Sequence, residues 1–166
     1  MKLYEYLNKN RILPPPGTLI IDLGCGDGRV LGPFYREGYA VLGVDMDAGR
    51  VSVAQGHMTE GVFGVQDLRL FTVPKGGFMI LRNVLPFFRS KEEVRGFLNK
   101  HPDHTIYFTL FGKNDEMADK ALIWSREEVD SICSNVGAII IEVQDGPGHS
   151  LSGDSRRCHI FHCLKM

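Results

Sequence analysis

The chain has 166 residues, 43% hydrophobic and 23% charged, a composition that suits one ordinary globular core. A formal charge of -1 and a sequence pI near 6.6 give no electrostatic footprint for a phosphate backbone or an anionic bilayer, so neither nucleic acid nor membrane is expected as a partner. Tyr4, Glu5, Tyr6 and Asn8 stand where a signal peptide needs an apolar stretch, and no later run approaches ~18 apolar residues, so a cytoplasmic protein is expected.

The predicted elements alternate between strand and helix. Tyr4 to Ile12 reads as a short helix closed off by Pro14, Pro15 and Pro16. Thr18 to Leu23 is the first strand. A helical pattern follows from about Arg29 until Gly38, and Pro33 inside it predicts a kink or a late start. Tyr39 to Val44 is a second strand, and Asp47 can cap a helix that Gly49 and Gly56 weaken. Gly61 to Gln66 and Phe78 to Leu81 are the third and fourth strands. Lys91 to Lys100 is a helix with Val94, Phe97 and Leu98 inward.

Thr105 to Phe111, rich in β-branched and aromatic residues, is the fifth strand. Ser125 and Glu128 form a capping box before Val129, Ile132, Cys133 and Val136 at helical spacing, and Gly137 ends that helix. Ala138 to Val143 and Arg157 to Leu164 are two more strands with no crossover helix between them, which makes them antiparallel. The sum is a seven-stranded, mostly parallel α/β sheet with helices on both faces and an antiparallel C-terminal hairpin. Residues 1–16 are expected to form an N-terminal helix and proline linker, and 17–166 the single α/β core.

Cys25, Cys133, Cys158 and Cys163 are scattered without a C-x-x-C pair, so no redox motif or zinc knuckle is implied. Cys25 lies in a glycine loop, where a helix N-terminus can lower a thiol pKa; a small side chain fitting the turn is the preferred reading. His159 and His162 point to opposite faces of one strand, as do Cys158 and Cys163, so no metal site is expected. His149 sits in the linking segment, expected as a loop near the ends of the sheet strands.

The most informative stretch is I-I-D-L-G-C-G-D-G-R-V from Ile20 to Val30, an apolar strand running into Gly24, Gly26 and Gly28. Such glycines turn the chain sharply and bring bare backbone against a ligand. A dinucleotide fingerprint would need a glycine at position 29, where Arg29 stands. Asp45 follows Gly24 by 21 residues, near the ~20-residue offset of a carboxylate that accepts from ribose hydroxyls.

With Asp22 two residues before the first glycine, Ile20 to Gly28 resembles the first motif of the class I S-adenosylmethionine-dependent methyltransferases, and the strand ending in Asp45 resembles their second. Gln66, Asp67 and Leu68 look like the segment that faces the adenine. Leu81 to Phe88 falls where that family lines the methyl-transfer pocket. Within the class, T-L-F-G from Thr109, W-S-R-E-E-V from Trp124 and H-I-F from His159 resemble the compact TehB-type small-molecule enzymes.

The resemblance implies a Rossmann-like fold, S-adenosylmethionine as cofactor and a small-molecule methyl acceptor. It places Asp22 near the amino-acid end of the cofactor and Gly24, Cys25, Gly26 and Gly28 along it. Asp45 falls at the ribose and Asp67 and Leu68 at the adenine, with Met46 and Asn83 as further cofactor contacts. Val84, Phe87, Phe88 and His149 would line the substrate pocket, Phe87 and Phe88 having core packing as their alternative. Asn83 and His149 are the catalytic candidates. Asn83 is followed by V-L-P-F rather than the P-P-Y of enzymes acting on amide or amine nitrogen, which argues against such substrates.

Methyl transfer from a sulfonium needs in-line positioning more than acid-base chemistry, so no catalytic triad is required. A nicotinamide oxidoreductase and a cofactor-binding module without turnover are the competing readings.

Overall fold

In a computed structural model of the chain, residues 3–112, 122–149 and 155–166 are described, with 144–149 and 155–159 as backbone alone. The chain divides into two compact units, Met1–Ile80 and Leu81–Met166.

The first unit opens with α1 (Leu3–Lys9), which buries Leu3 and Leu7 and sets Tyr4 edge-on against Phe34 at 5.2 Å. The proline segment after it is held by Tyr39, whose hydroxyl donates to the Pro14 carbonyl at 2.8 Å. Four parallel strands follow: β1 (Ile20–Leu23), β2 (Val41–Asp45), β3 (Val62–Val65) and β4 (Phe78–Leu81), in the order β3-β2-β1-β4. All four residues of β1 and of β4 are buried, as continuous apolar runs require when both faces of a parallel sheet are covered.

The helix α2 spans Leu31–Arg36. It starts late, as Pro33 predicts: the proline falls in the first turn, where its missing N–H has no intrahelical partner to lose. α3 (Ala48–His57) is capped by Asp47, whose Oδ1 accepts the Arg50 N–H at 3.0 Å.

The second unit begins with a 3-10 turn at Leu85–Phe87. α4 (Lys91–Asn99) follows, N-capped by Ser90, and buries Val94, Phe97 and Leu98. β5 (Thr105–Gly112) is buried from its second residue onward. The capping box forms as read: Ser125 Oγ accepts the Glu128 N–H at 3.2 Å and Glu128 accepts the Ser125 N–H at 2.8 Å, opening α5 (Arg126–Val136). Gly137 ends that helix in the left-handed conformation, φ 71°.

β7 (Ala138–His149) and β8 (Ser155–Lys165) are antiparallel, and β8 lies between β5 and β7. The buried Lys165 donates to the His101 carbonyl at 3.1 Å, at the C-terminal end of α4. Cys133 and Cys163 bring their sulfurs to 3.5 Å as free thiols.

The mostly parallel α/β architecture with an antiparallel C-terminal pair is the expected one, with two differences of detail. A two-residue strand, β6 (Ile123–Trp124), pairs parallel with the end of β5 and carries no alternating pattern that would announce it. The hairpin strands also run further than their apolar cores. Ladder pairs continue through Asp145↔His159, Pro147↔Arg157 and His149↔Ser155, so most of the segment expected as a loop is strand.

Candidate functional site

The turn after β1 is built by backbone bonds to the end of β2. The Gly24 and Cys25 amides both donate to the Val44 carbonyl, at 2.7 and 3.1 Å, and the Gly28 amide donates to the Cys25 carbonyl at 2.9 Å. Gly24, Gly26 and Gly28 all take positive φ, 87°, 52° and 77°. Two of these glycines also have close side-chain neighbours, for Gly26 the movable end of an exposed arginine and for Gly28 a packed helix face. A Cβ on Gly26 would lie 2.3 Å from the Arg50 guanidinium, and one on Gly28 would lie 2.4 Å from the Met58 methyl and 3.0 Å from the Ala54 Cβ.

Asp45 reaches back from the end of β2 to close the loop. Its Oδ2 accepts the Gly26 N–H at 2.8 Å and its Oδ1 accepts the Asp47 N–H at 3.0 Å. Each oxygen retains a further lone pair. Asp45 is partly exposed and Met46 beside it is 66% exposed. Asp22 is buried on β1. Cys25 is buried as well, its Sγ 3.6 Å from the Gly26 carbonyl. Burial first, then the carboxylates of Asp22 and Asp45, push its thiol from 9.0 up to about 12, against smaller opposing effects of its own backbone hydrogen bond and of Arg50. Cys25 is therefore a packed thiol, in which burial outweighs the lowering that backbone N–H groups bring.

Two participants were not singled out from the sequence. Gly43 on β2 leaves room for the Phe63 ring and the Cys25 sulfur, which a Cβ there would meet at 2.7 and 2.8 Å. Arg50 lies over Gly26 with its guanidinium 3.9 Å from Asp27. A glycine within a strand was the available signal for the first; nothing local marks the second.

After β3, Asp67 Oδ1 accepts the Arg69 N–H at 2.9 Å, and its carboxylate takes a forked contact from the Arg69 guanidinium. The turn-ordering role weighed for Asp67 is thus present. Leu68 beside it is half-buried.

In the second unit, Asn83 stands two residues after β4 in a left-handed conformation, φ 57°. Its N–H donates to Thr109 Oγ1 at 2.7 Å, and the Thr109 hydroxyl donates to Asn83 Oδ1 at 3.1 Å. Val84 and Phe87 are half-buried, and the Phe87 ring meets Phe111 edge-on at 6.2 Å. Phe88 is a core residue, 7% exposed and edge-on to Phe97 at 5.4 Å. His149 is corrected from loop to strand: its backbone pairs with Ser155, and its side chain lies outside the described residues.

His162, opposite Thr109 in the β5–β8 register, is buried and hydrogen-bonds the Tyr107 hydroxyl through Nδ1. Burial holds its pKa below 6.5, while Glu142 and Arg82 pull in opposite directions. Among the described residues no group of three or more His, Cys, Asp and Glu could hold a metal, and no helix is long and apolar enough to cross a membrane.

No protein-family model and no curated protein matches the sequence. Solved structures do match. A SAM-dependent methyltransferase from Methanosarcina mazei is 13% identical over 100% of this chain and 99% of its own, with a TM-score of 0.72. Magnesium protoporphyrin IX methyltransferase from Synechocystis, with bound SAM, is 19% identical over 98% of this chain and 76% of its own, TM-score 0.67. A TehB-like SAM-dependent methyltransferase from Corynebacterium glutamicum is 18% identical over 98% and 93%, TM-score 0.61. At these identities the likeness is one of fold: the chain has the fold of SAM-dependent methyltransferases.

Proposed function

We propose that the protein is an S-adenosylmethionine-dependent methyltransferase acting on a small-molecule acceptor, its 166 residues forming one catalytic domain with 1–16 as a leading helix and linker. The observation that carries this reading is how the glycine loop spends its amides. A pyrophosphate needs free N–H groups at such a turn. Here the Gly24 and Cys25 amides go to Val44, that of Gly26 to Asp45 and that of Gly28 to Cys25, so of the five amides from Gly24 to Gly28 all but that of Asp27 are spent within the protein. What the loop offers a ligand is close backbone and carboxylates, a cradle for a cationic, hydroxyl-bearing molecule rather than a dinucleotide.

The parts of S-adenosylmethionine fit that offer. Asp45 has lone pairs left for the ribose hydroxyls, and charge-assisted bonds of this kind are worth about 1.5–3 kcal/mol. Asp22 and Asp45 provide negative charge for the ammonium and sulfonium. Gly24, Cys25, Gly26 and Gly28 line the cofactor, Met46 gives the adenine an apolar neighbour, and Asp67 and Leu68 sit at its edge. Asn83, Val84 and Phe87 belong to the acceptor side. The magnesium protoporphyrin IX methyltransferase structure with bound SAM supports the cofactor, and the substrate in that enzyme's name supports a small-molecule acceptor.

The chemistry is a displacement at the sulfonium methyl, with acceptor, carbon and sulfur in line and water kept out. Calorimetric titration with S-adenosylmethionine, S-adenosylhomocysteine, NADH and NADPH tests the reading. Binding of the first two and neither nicotinamide is the expected result; the reverse pattern rejects it.

A further inference from the structure

We infer that Cys133 and Cys163 are a redox-active dithiol, which a small hydroperoxide converts into a disulfide fastening α5 to β8. The site is independent of the methyl-transfer reading and lies wholly within the second unit.

No C-x-x-C spacing announces this pair; the fold makes it. Cys133 lies on α5 and Cys163 on β8, 30 residues apart in sequence, and their sulfurs meet at 3.5 Å. A single buried cysteine is accounted for by packing, as a small apolar side chain. Here two of the chain's four cysteines face each other from different elements. A disulfide bond is about 2.0 Å long, so the sulfurs have about 1.5 Å to close. Modest rotation of the two side chains and a small approach of the helix supply that distance.

The two thiols differ in a way that assigns their roles. Cys163 is 0% exposed, whereas Cys133 is 4% exposed on a helix whose Asp130 and Ser134 are at the surface. When Cys133 gives up its proton, the Cys163 thiol donates a hydrogen bond to the bared sulfur. That bond lowers the Cys133 pKa, against burial and Asp130, with Arg126 assisting least. The same bond, with burial, raises the pKa of Cys163. Cys133 is thus the nucleophile, and Cys163 the resolving thiol that keeps its proton until the second step.

The Cys133 thiolate attacks the distal oxygen of the hydroperoxide. The O–O bond breaks, and the departing alkoxide takes up the proton that Cys133 released, leaving a sulfenic acid on Cys133. The Cys163 sulfur then displaces the hydroxyl: the S–O bond breaks, the S–S bond forms, and the hydroxyl leaves as water with the Cys163 proton. Two thiols and one hydroperoxide give one disulfide, one alcohol and one water, with two electrons passing from the sulfurs to the peroxide oxygens.

The bond joins the ends of a segment that holds all of β7 and most of β8. Because β8 lies between β5 and β7, it pins the inner strand of the hairpin to the helix before it. Closing such a loop takes freedom from the unfolded chain, so the oxidised protein is the more stable form.

The test exposes the full folded chain to hydrogen peroxide or to dithiothreitol, alkylates the remaining thiols in denaturant and maps the products by mass. Trypsin leaves Cys158 and Cys163 on one fragment, so Cys158→Ser is mapped beside the unsubstituted chain. A Cys133 to Cys163 link, lighter by two hydrogens and reversed by dithiothreitol, is expected, with the Tm of the oxidised protein raised by about 5–10 °C. In Cys163→Ser, which cannot resolve the sulfenic acid, dimedone should capture Cys133 and the Tm shift should vanish; in Cys133→Ser, Cys163 should stay unlabelled. Both thiols still open to alkylation after peroxide, a link that forms only in denaturant, one that joins Cys25 or Cys158 instead, or a linked form no more stable than the reduced one overturns the inference. The mapping on the unsubstituted chain decides the matter even where a serine variant fails to fold.

Discussion

Asp45 fastens the glycine loop to the second strand: its Oδ2 accepts the Gly26 N–H at 2.8 Å across 19 residues of sequence. The same carboxylate is the proposed ribose ligand, so the group that meets the cofactor also shapes the turn on which it lies.

Replacing Asp45 with alanine is therefore expected to weaken S-adenosylmethionine binding by about 10- to 100-fold, from loss of charge-assisted bonds worth about 1.5–3 kcal/mol. Calorimetry measures it. Because the loop loses its tie as well, urea unfolding without cofactor should also register the substitution. An unchanged affinity would remove Asp45 from the site.

Gly28→Ala tests the packing of the loop rather than its chemistry. The new Cβ has to fit beside Ala54 at 3.0 Å and the Met58 methyl at 2.4 Å, in a backbone at φ 77°. Overpacking of this kind costs about 1–3 kcal/mol, and the left-handed φ adds to it. The expected result is a lower urea midpoint with an unchanged slope.

Ser125→Ala removes one half of the capping box on α5, with an expected loss of about 1 kcal/mol in chemical denaturation. The other half, Glu128, also takes an ion pair from Lys91 at 2.6 Å, and Lys91 in turn lies over the Trp124 ring at 5.1 Å. Glu128 should therefore keep its carboxylate in place in this variant. Cofactor affinity should not change.

The pH dependence of stability should be led on the acid side by two histidines. His162 and His101 are both held below 6.5, first by burial. His104, Lys165 and Lys100 add to the effect on His101, and Arg82 and Glu142 act oppositely on His162. A base with a depressed folded pKa binds its proton more tightly when unfolded, so the stability it contributes is present above about 6.5 and lost as pH falls. Urea midpoints measured from about pH 7 down to about pH 5 should decline, and His162→Gln should flatten the decline. A midpoint independent of pH over that window would contradict the burial assigned to both rings.

What could be read from the sequence was local. Three glycines at alternate positions announce a sharp turn, Ser125 and Glu128 three apart a capping box and Gly137 after Val136 a helix end, each within a few residues. The relationships that escaped reading join distant segments. Thr109 and Asn83 are 26 residues apart and no spacing rule links them. The guanidinium of Arg50 lands on Gly26 because the first helix after β2 folds back over the loop. Gly146, Pro147 and Gly148 have the composition of a turn, yet they pair across the hairpin because a partner strand is in register with them. Ile123 and Trp124 form a strand by borrowing the end of β5, a decision made by the neighbour and not by their own two residues.

The position of β8 between β5 and β7 bears on how the second unit comes into being. During synthesis β7 emerges before β8, and until β8 follows neither β5 nor β7 has the neighbour it will finally share. For that interval two apolar strand edges stand open, each able to pair with the wrong partner, including the same strand of another nascent copy. The inner place of the later strand makes its arrival the step that closes both edges at once.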